Sequence, residues 1–137
     1  MQTRLERERD FALQSMPPNT RYLARAGLQL WFFTKQTEVG IDFEIAIYFD
    51  EDEGGYCAQL VNPPIEEAWR NPHIGHIFRD GVICVGGASM RTSDSMAVAY
   101  AKSCLWAEGI AIMLRSKQLG HPSEFPFSAD NDPSDVT

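Results

Sequence analysis

The feature that most constrains the fold is a strict alternation of apolar and other residues between Ile41 and Phe49. One face carries Ile41, Phe43, Ile45, Ile47 and Phe49, and the other carries Asp42, Glu44, Ala46 and Tyr48. Side chains of a strand point alternately to opposite faces, so this period of two predicts a strand with one side on a core. A second alternation begins at Leu28, and a further strand-like run, residues 56–61, follows the polar, glycine-containing turn at residues 50–55. The sequence therefore predicts an antiparallel meander of three to four strands.

Helical segments lie on both sides of this meander. Residues 3–14 are rich in helix formers, with acids and bases at helical spacing, and Pro17 and Pro18 end the segment. A longer helix is predicted from the N-cap residues 92–95 to about Leu119, with Gly120 as its stop. Its several apolar stripes favour packing against the sheet. The prediction is an α+β fold with both helices packed on an antiparallel sheet.

The length of 137 residues is that of one domain. We expect residues 1–120 to form it. Residues 121–137 contain three prolines and three aspartates and have little to bury, so they are predicted to be an acidic, mobile tail, except around Phe125 and Phe127.

Charge and cysteine content exclude several classes of function. With 19 acidic against 12 basic residues the net charge is −7, and no lysine or arginine stripe offsets it, so nucleic acid is not an expected partner. No run of roughly 20 uninterrupted apolar residues and no secretory segment is present, which predicts a cytoplasmic protein without a membrane partner. The odd number and irregular spacing of Cys57, Cys84 and Cys104 indicate reduced thiols.

Residues 71–87, Asn-Pro-His-Ile-Gly-His-Ile-Phe-Arg-Asp-Gly-Val-Ile-Cys-Val-Gly-Gly, carry the chemistry. This segment resembles the active-site segment of the ubiquitin-conjugating enzymes. Their signature is His-Pro-Asn, a hydrophobic residue, a short polar stretch, Gly, any residue, Ile or Leu, the catalytic Cys and another hydrophobic residue. The second half is reproduced as Asp80-Gly81-Val82-Ile83-Cys84-Val85. The order of predicted elements also resembles that of the family, although the tryptophan usually found shortly after the catalytic Cys is missing.

The first half of the signature fits in two registers. Without a gap, His76 falls at the position of the family's Asn, with Ile77 as the hydrophobic residue that follows. With a three-residue slip, His73 takes that position. We take His76 as the first choice and His73 as the second. Because His replaces Asn in either case, the resemblance is to the divergent prokaryotic branch from ubiquitin-like conjugation operons, some of them antiviral.

The resemblance implies an acyltransferase. Cys84 would accept the C-terminus of a ubiquitin-like protein from an adenylating activating enzyme as a thioester and pass it to an amine of a target protein. A metalloprotease from the same operon is a further expected partner. No cofactor is expected, because ATP is consumed by the activating enzyme. His76 or His73 would donate a hydrogen bond to the tetrahedral oxyanion, and Asp80 would orient a histidine or help to deprotonate the lysine.

Two other interpretations remain open at this stage. The chain is also compatible with a non-catalytic binding module of the same fold, or with a zinc protein that uses His73, His76 and Cys84 together with Cys57 or Asp80. A cysteine between two aliphatic residues is commonly a small buried hydrophobe, and Cys57 and Cys104 are expected to be core residues. The conjugating function requires the sulfur of Cys84 to be exposed.

Overall fold

A computed structural model describes residues 1–86 and 90–127 of the chain. It consists of two α-helices, four β-strands and one 3-10 turn. In chain order these are α1 (Arg4–Ser15), β1 (Arg21–Arg25), β2 (Leu28–Gln36), β3 (Asp42–Asp50), β4 (Gly55–Asn62), the 3-10 turn Glu67–Trp69, and α2 (Met96–Gln118).

The four strands form one antiparallel sheet in the order β1-β2-β3-β4. The predicted meander is thus confirmed. In register, Ile47 of β3 lies opposite Trp31 of β2, and Ile45 lies opposite Leu60 of β4. The first strand was not predicted, because all five of its residues are exposed and it has no alternation to read. It is an edge strand that forms by pairing with β2.

The core lies between the sheet and α2. Phe43, Ile45 and Ile47 are fully buried on the face that the alternation predicts. Trp106 of α2 packs against Phe43 edge to face, with ring centroids 5.7 Å apart. The helix α1 adds Ala12 to the same core. The α+β arrangement, with an N-terminal and a C-terminal helix on an antiparallel sheet, is therefore present.

Local signals define the helix ends. Thr3 caps α1 in a capping box, in which its hydroxyl accepts from the Glu6 amide while the Glu6 carboxylate accepts from Thr3. Ser95 caps α2 by accepting from the Val98 amide. Gly120, in the left-handed region with φ of 79°, follows the end of α2. The predicted helices are confirmed to within about two residues.

The opposite face of the sheet is less open than the alternation predicts. Ala46 of β3 and Cys57 of β4 both lie on it, and both are buried. The chain leaves β4 at Asn62, then returns along the free edge of that strand, where Val82 pairs with Gln59 and Ser93 pairs with Tyr56. The segment between β4 and α2 thus extends the sheet along the free edge of β4 through isolated β-bridges.

Within the described residues, α2 is the one helix that could span a membrane by length and composition. Half of the apolar 18-residue stretch in α2 is buried inside the fold, and the core helix of a globular domain has the same length and composition. The apolar character of α2 is accounted for by its packing on β3 and β4. Of the predicted tail, residues 128–137 lie outside the described part, and Phe125 and Phe127 are half-buried.

Candidate functional site

The segment that carries the motif forms a short β-hairpin. Ile77 and Ile83 are bridged in antiparallel fashion, and the amide of Cys84 donates to the carbonyl of His76 at 3.0 Å. Residues on either side of an antiparallel bridge lie opposite each other. The hairpin therefore makes His76 the direct neighbour of Cys84 across the two strands.

The hairpin is fixed to the free edge of β4. The amide of Ile83 donates to the Ala58 carbonyl at 2.8 Å, and Leu60 donates to the Gly81 carbonyl at 2.9 Å. Gly81 has a φ of 89°, and a Cβ at this position would lie 2.5 Å from Nε2 of the Gln59 side chain. The glycine of the motif is thus favoured by its left-handed backbone conformation, and a Cβ there would also displace the Gln59 side chain.

Cys84 is buried in this structure. Its exposed fraction is 5%, and its neighbours Ile83 and Val85 are fully buried. Burial raises the pKa of the Cys84 thiol to about 11, and the nearby positive charge of Arg91 acts in the opposite direction. The exposed sulfur that the conjugating function requires is therefore not present in this conformation.

His76 is held by groups from distant parts of the chain. Its backbone is left-handed, with φ of 53°, a region in which histidine is enriched. The carbonyl of Gly75 accepts from the indole Nε1 of Trp106 at 2.7 Å. The imidazole packs on the ring of Phe125, with centroids 4.4 Å apart and planes inclined by 50°. Its Nδ1 atom is buried.

His73, the second choice, lies in a different environment. It is exposed on the turn that precedes the hairpin. Its amide donates to Oδ1 of Asn71 at 2.7 Å, and the carbonyl of Asn71 accepts from Gly75. The cross-strand geometry thus favours His76 as the histidine that acts at the thiol. The role of either imidazole stays a prediction.

Asp80 lies at the tip of the hairpin. Its carboxylate accepts from the Arg91 guanidinium at 2.6 Å and from the Val82 amide at 3.2 Å. The hydrogen bond from Arg91 is the main reason why the pKa of Asp80 is lowered. A carboxylate with a lowered pKa is a weak base. This geometry supports a role in holding the hairpin turn more than the predicted role in proton transfer.

The other two cysteines differ from Cys84 in context. Cys57 is buried in β4, and burial raises the pKa of its thiol, while a hydrogen bond with Tyr48 acts in the opposite direction. Cys104 is half-buried on α2 at the edge of the core, where burial also raises its pKa. Among residues 1–86 and 90–127, no three His, Cys, Asp or Glu side chains are grouped so that they could hold a metal ion. The structure therefore lends the zinc interpretation no support.

Sequence reasoning missed the residues that surround His76. Trp106 had no predicted functional role, and Phe125 was expected only as an apolar residue in the tail. Gly109, in the middle of α2, was the available signal: a Cβ there would lie 2.5 Å from two ring atoms of Phe125. The isolated glycine inside this helix has a packing reason, which is the close approach of the Phe125 ring.

Comparisons of this chain with protein-family models, with curated protein sequences and with solved structures find no match. The resemblance to ubiquitin-conjugating enzymes thus depends on residues 71–87 and on the order of the elements.

Proposed function

We propose that this chain is a ubiquitin-like-protein conjugating enzyme, in which Cys84 carries the acyl group and His76 assists its transfer. The observation that carries the proposal is the hairpin pairing that makes His76 the cross-strand neighbour of Cys84, with 3.0 Å between the amide nitrogen and the carbonyl oxygen. The motif alone left two histidine registers open, and this geometry favours the gap-free one.

The fold supports the proposal at a coarser level. An N-terminal helix, a four-stranded antiparallel meander, a proline-containing exit after Asn62, the cysteine segment and a long helix follow in the order found in the conjugating enzymes. We propose that the domain has their fold. Several folds host many unrelated functions, so the site has to carry the functional argument.

The first step is a thioester exchange. The Cys84 thiolate attacks the carbonyl carbon of the thioester on the activating enzyme, a new C–S bond forms, and the old C–S bond breaks. The departing cysteine of the activating enzyme leaves as a thiolate, and the proton lost from Cys84 passes to solvent. The thiol needs no cofactor for this exchange.

The second step is an aminolysis. A neutral lysine amine attacks the thioester carbon, and the carbonyl oxygen becomes a tetrahedral oxyanion. A hydrogen bond from the His76 imidazole stabilises that oxyanion, a contribution of about 3 kcal/mol in comparable sites. The intermediate collapses, the C–S bond breaks, Cys84 leaves as a thiolate, and the amine proton passes to solvent.

The burial of Cys84 sets the resting reactivity. With a pKa raised to about 11, the thiol is ionised far less at neutral pH than an ordinary cysteine. A more basic thiolate is a better nucleophile, which offsets part of that loss. Cys84 is also buried, so acyl transfer requires a local opening that exposes Sγ.

The expected partners follow from the proposal. They are a ubiquitin-like protein, its adenylating activating enzyme, a target protein amine and a metalloprotease from the same operon, in a cytoplasmic pathway of the antiviral kind. The acidic charge of −7 is unsuited to a nucleic-acid partner.

The test is thioester formation. The chain is incubated with the ubiquitin-like protein, activating enzyme and ATP, and the products are separated on gels with and without reducing agent. We expect an adduct that reducing agent removes, that is lost in Cys84→Ala and that is kept in Cys104→Ala. An adduct that persists in Cys84→Ala would overturn the assignment of the carrier thiol.

Discharge to free lysine tests His76. We expect His76→Ala to slow single-turnover discharge of the loaded Cys84 at least about tenfold, because one oxyanion donor is lost. His76→Asn should recover part of the rate, since asparagine tolerates the left-handed backbone and supplies an amide donor. His121→Ala, an exposed histidine after α2, is the matched control. Unchanged discharge in His76→Ala would remove this residue from the mechanism.

A second candidate is a non-catalytic binding module of the same fold. The burial of Cys84 and its raised pKa favour it, because a small buried thiol is also an ordinary core residue. The two functions differ in a simple result: the module binds the ubiquitin-like protein reversibly and forms no adduct that reducing agent removes.

A further inference from the structure

The chain that follows α2 returns across that helix to reach the candidate site. Phe125 is half-buried there and packs against the core cluster. Its ring lies 4.4 Å from the His76 imidazole and 6.0 Å from the ring of Phe127, both measured between centroids. A residue that is 41 positions beyond Cys84 in the sequence thus contacts the imidazole of the residue paired with Cys84 in the hairpin.

The backbone around His76 is held separately from its ring. Trp106 bonds the Gly75 carbonyl, and the Cys84 amide bonds the His76 carbonyl. Gly75 is itself tightly enclosed, since a Cβ there would lie 2.2 Å from the carbonyl oxygen of Trp69. These contacts fix the backbone, but a ring on a fixed backbone still rotates about its side-chain bonds. Packing against Phe125 restricts that rotation.

Gly109 provides the space for Phe125. Two ring carbons of Phe125 lie 2.5 Å from where a Cβ of residue 109 would stand, closer than real Cβ contacts come. A glycine inside a helix destabilises it relative to alanine. The chain accepts this cost where the aromatic ring approaches α2.

We propose that Phe125 is a positioning residue that fixes the orientation of the His76 imidazole, on the residue paired with Cys84, through ring packing in the space that Gly109 leaves on α2. This inference rests on the proposed function for its catalytic consequence. The residue acts through His76 and contacts neither the acyl group nor the thiol in the mechanism above.

The first measurement is independent of activity. Carbon-edited NMR spectra of the imidazoles are recorded for the full chain and for Phe125→Leu, with His73→Gln and His121→Gln used to assign the three histidines. An aromatic ring at this distance displaces the signals of the protons near its face. We expect the His76 signals to move on Phe125→Leu while those of His73 and His121 stay in place. A His76 spectrum that is unchanged in Phe125→Leu would overturn the contact.

The second measurement is a double-mutant cycle on discharge of the loaded thioester to free lysine. We expect Phe125→Leu to slow discharge roughly fivefold with thioester formation on Cys84 unchanged, because a misplaced donor loses transition-state stabilisation. In the His76→Ala background the same substitution should have no further effect. A merely structural role would slow discharge equally in both backgrounds, and that result would overturn the inference.

Phe11→Ala is the matched control. Phe11 of α1 is also a half-buried aromatic residue, and its ring lies 5.9 Å from that of Tyr100 on α2. Its removal should cost stability without changing the His76 signals or the discharge rate. If no thioester forms on Cys84 in any variant, the proposed function fails, and the NMR comparison alone then decides whether Phe125 holds the imidazole.

Discussion

Two tryptophan indoles each donate a hydrogen bond that attaches a segment of the chain to the core, but their acceptors differ. Trp31 of β2 donates to the carboxylate of Glu8 at 2.9 Å, and Tyr56 donates to the same carboxylate at 3.0 Å. Trp106 of α2 donates to the backbone carbonyl of Gly75 at 2.7 Å. The first contact joins α1 to the sheet, and the second joins the hairpin to α2.

The difference lies in what remains available for chemistry. The Glu8 carboxylate is buried and is shared by two side-chain donors and Arg4, so its hydrogen-bonding capacity is used inside the protein. Trp106, by contrast, donates to a backbone carbonyl, that of Gly75. The side chain of the following residue, His76, packs on Phe125, and the backbone of His76 pairs with that of Cys84. A bond to the backbone holds the segment while leaving its side chains to a site.

The largest expected effect in this comparison is that of Glu8→Ala. It leaves the Trp31 and Tyr56 donors without their acceptor in a largely buried place, which costs about 3 kcal/mol of unfolding free energy. Glu8→Gln keeps one acceptor oxygen and should cost clearly less. Urea unfolding measures both. A loss below roughly 0.5 kcal/mol in Glu8→Ala would contradict a structural role for this network.

Trp106→Phe should have the next largest effect and should separate the two contacts. The buried Gly75 carbonyl loses its donor, at a cost of about 2 kcal/mol in unfolding free energy. The hairpin is then less firmly attached to α2. The rate of discharge of the loaded Cys84 should therefore fall several-fold, in addition to the loss of stability. Trp31→Phe should lose similar stability with discharge unchanged. Equal discharge rates in the two variants would show that the two indoles have the same role.

Features that depend on local sequence were predictable, whereas features that depend on tertiary packing were not. The alternation at residues 41–49, the helix formers of residues 3–14 and the N-cap residues 92–95 act locally, and they predicted β3 and both helices. The burial of Glu8 was not predictable, since its position in a helix of alternating charges resembles that of its exposed neighbours. The strand β1 forms only because β2 offers it an edge.

The candidate site was predictable as a motif but not as a geometry. The motif identified His76 and Cys84, whereas the hairpin that pairs them depends on the left-handed turn at Gly81 and on hydrogen bonds to β4. Trp106 and Phe125 reach His76 through the fold, at sequence distances that no local period reports. The burial of Cys84 likewise depends on tertiary packing, so the expectation of an exposed sulfur failed for a physical reason.

Alkaline pH should reveal an ionisable group in each of the two regions. The pKa of Cys84 is raised to about 11 by burial, and that of Tyr56 is raised to about 12, by burial first and then by Glu8. A raised pKa favours the protonated form in the folded state, so its stabilisation is complete below the unfolded-state pKa and is lost as pH rises through the folded-state pKa. Unfolding free energy should therefore fall between about pH 9 and 11 on account of Cys84.

The variants assign that loss. Cys84→Ala should lessen the fall between about pH 9 and 11, and Tyr56→Phe should lessen it between about pH 10 and 12. Cys57 and Cys104, whose pKa values are also raised by burial, keep contributing in both variants. The measurement is a series of urea unfolding curves across this range. A slope that is unchanged in Cys84→Ala would indicate that the folded protein does not disfavour the thiolate.

The smallest expected effect is that of Arg91→Met, which acts at the tip of the hairpin. The ion pair with Asp80 is largely exposed, with side-chain fractions of 32% and 54%, so its loss should change the unfolding free energy by less than about 1 kcal/mol. The electrostatic consequence is more specific. Arg91 favours the Cys84 thiolate, so its removal should raise the pKa of Cys84 further and slow alkylation by iodoacetamide at neutral pH. Arg79, on the same hairpin, forms an exposed ion pair with Glu67 of the 3-10 turn. Arg79→Met breaks this pair and should leave alkylation of Cys84 unchanged. If the two variants are alkylated at Cys84 at equal rates, Arg91 has no electrostatic influence on the thiol.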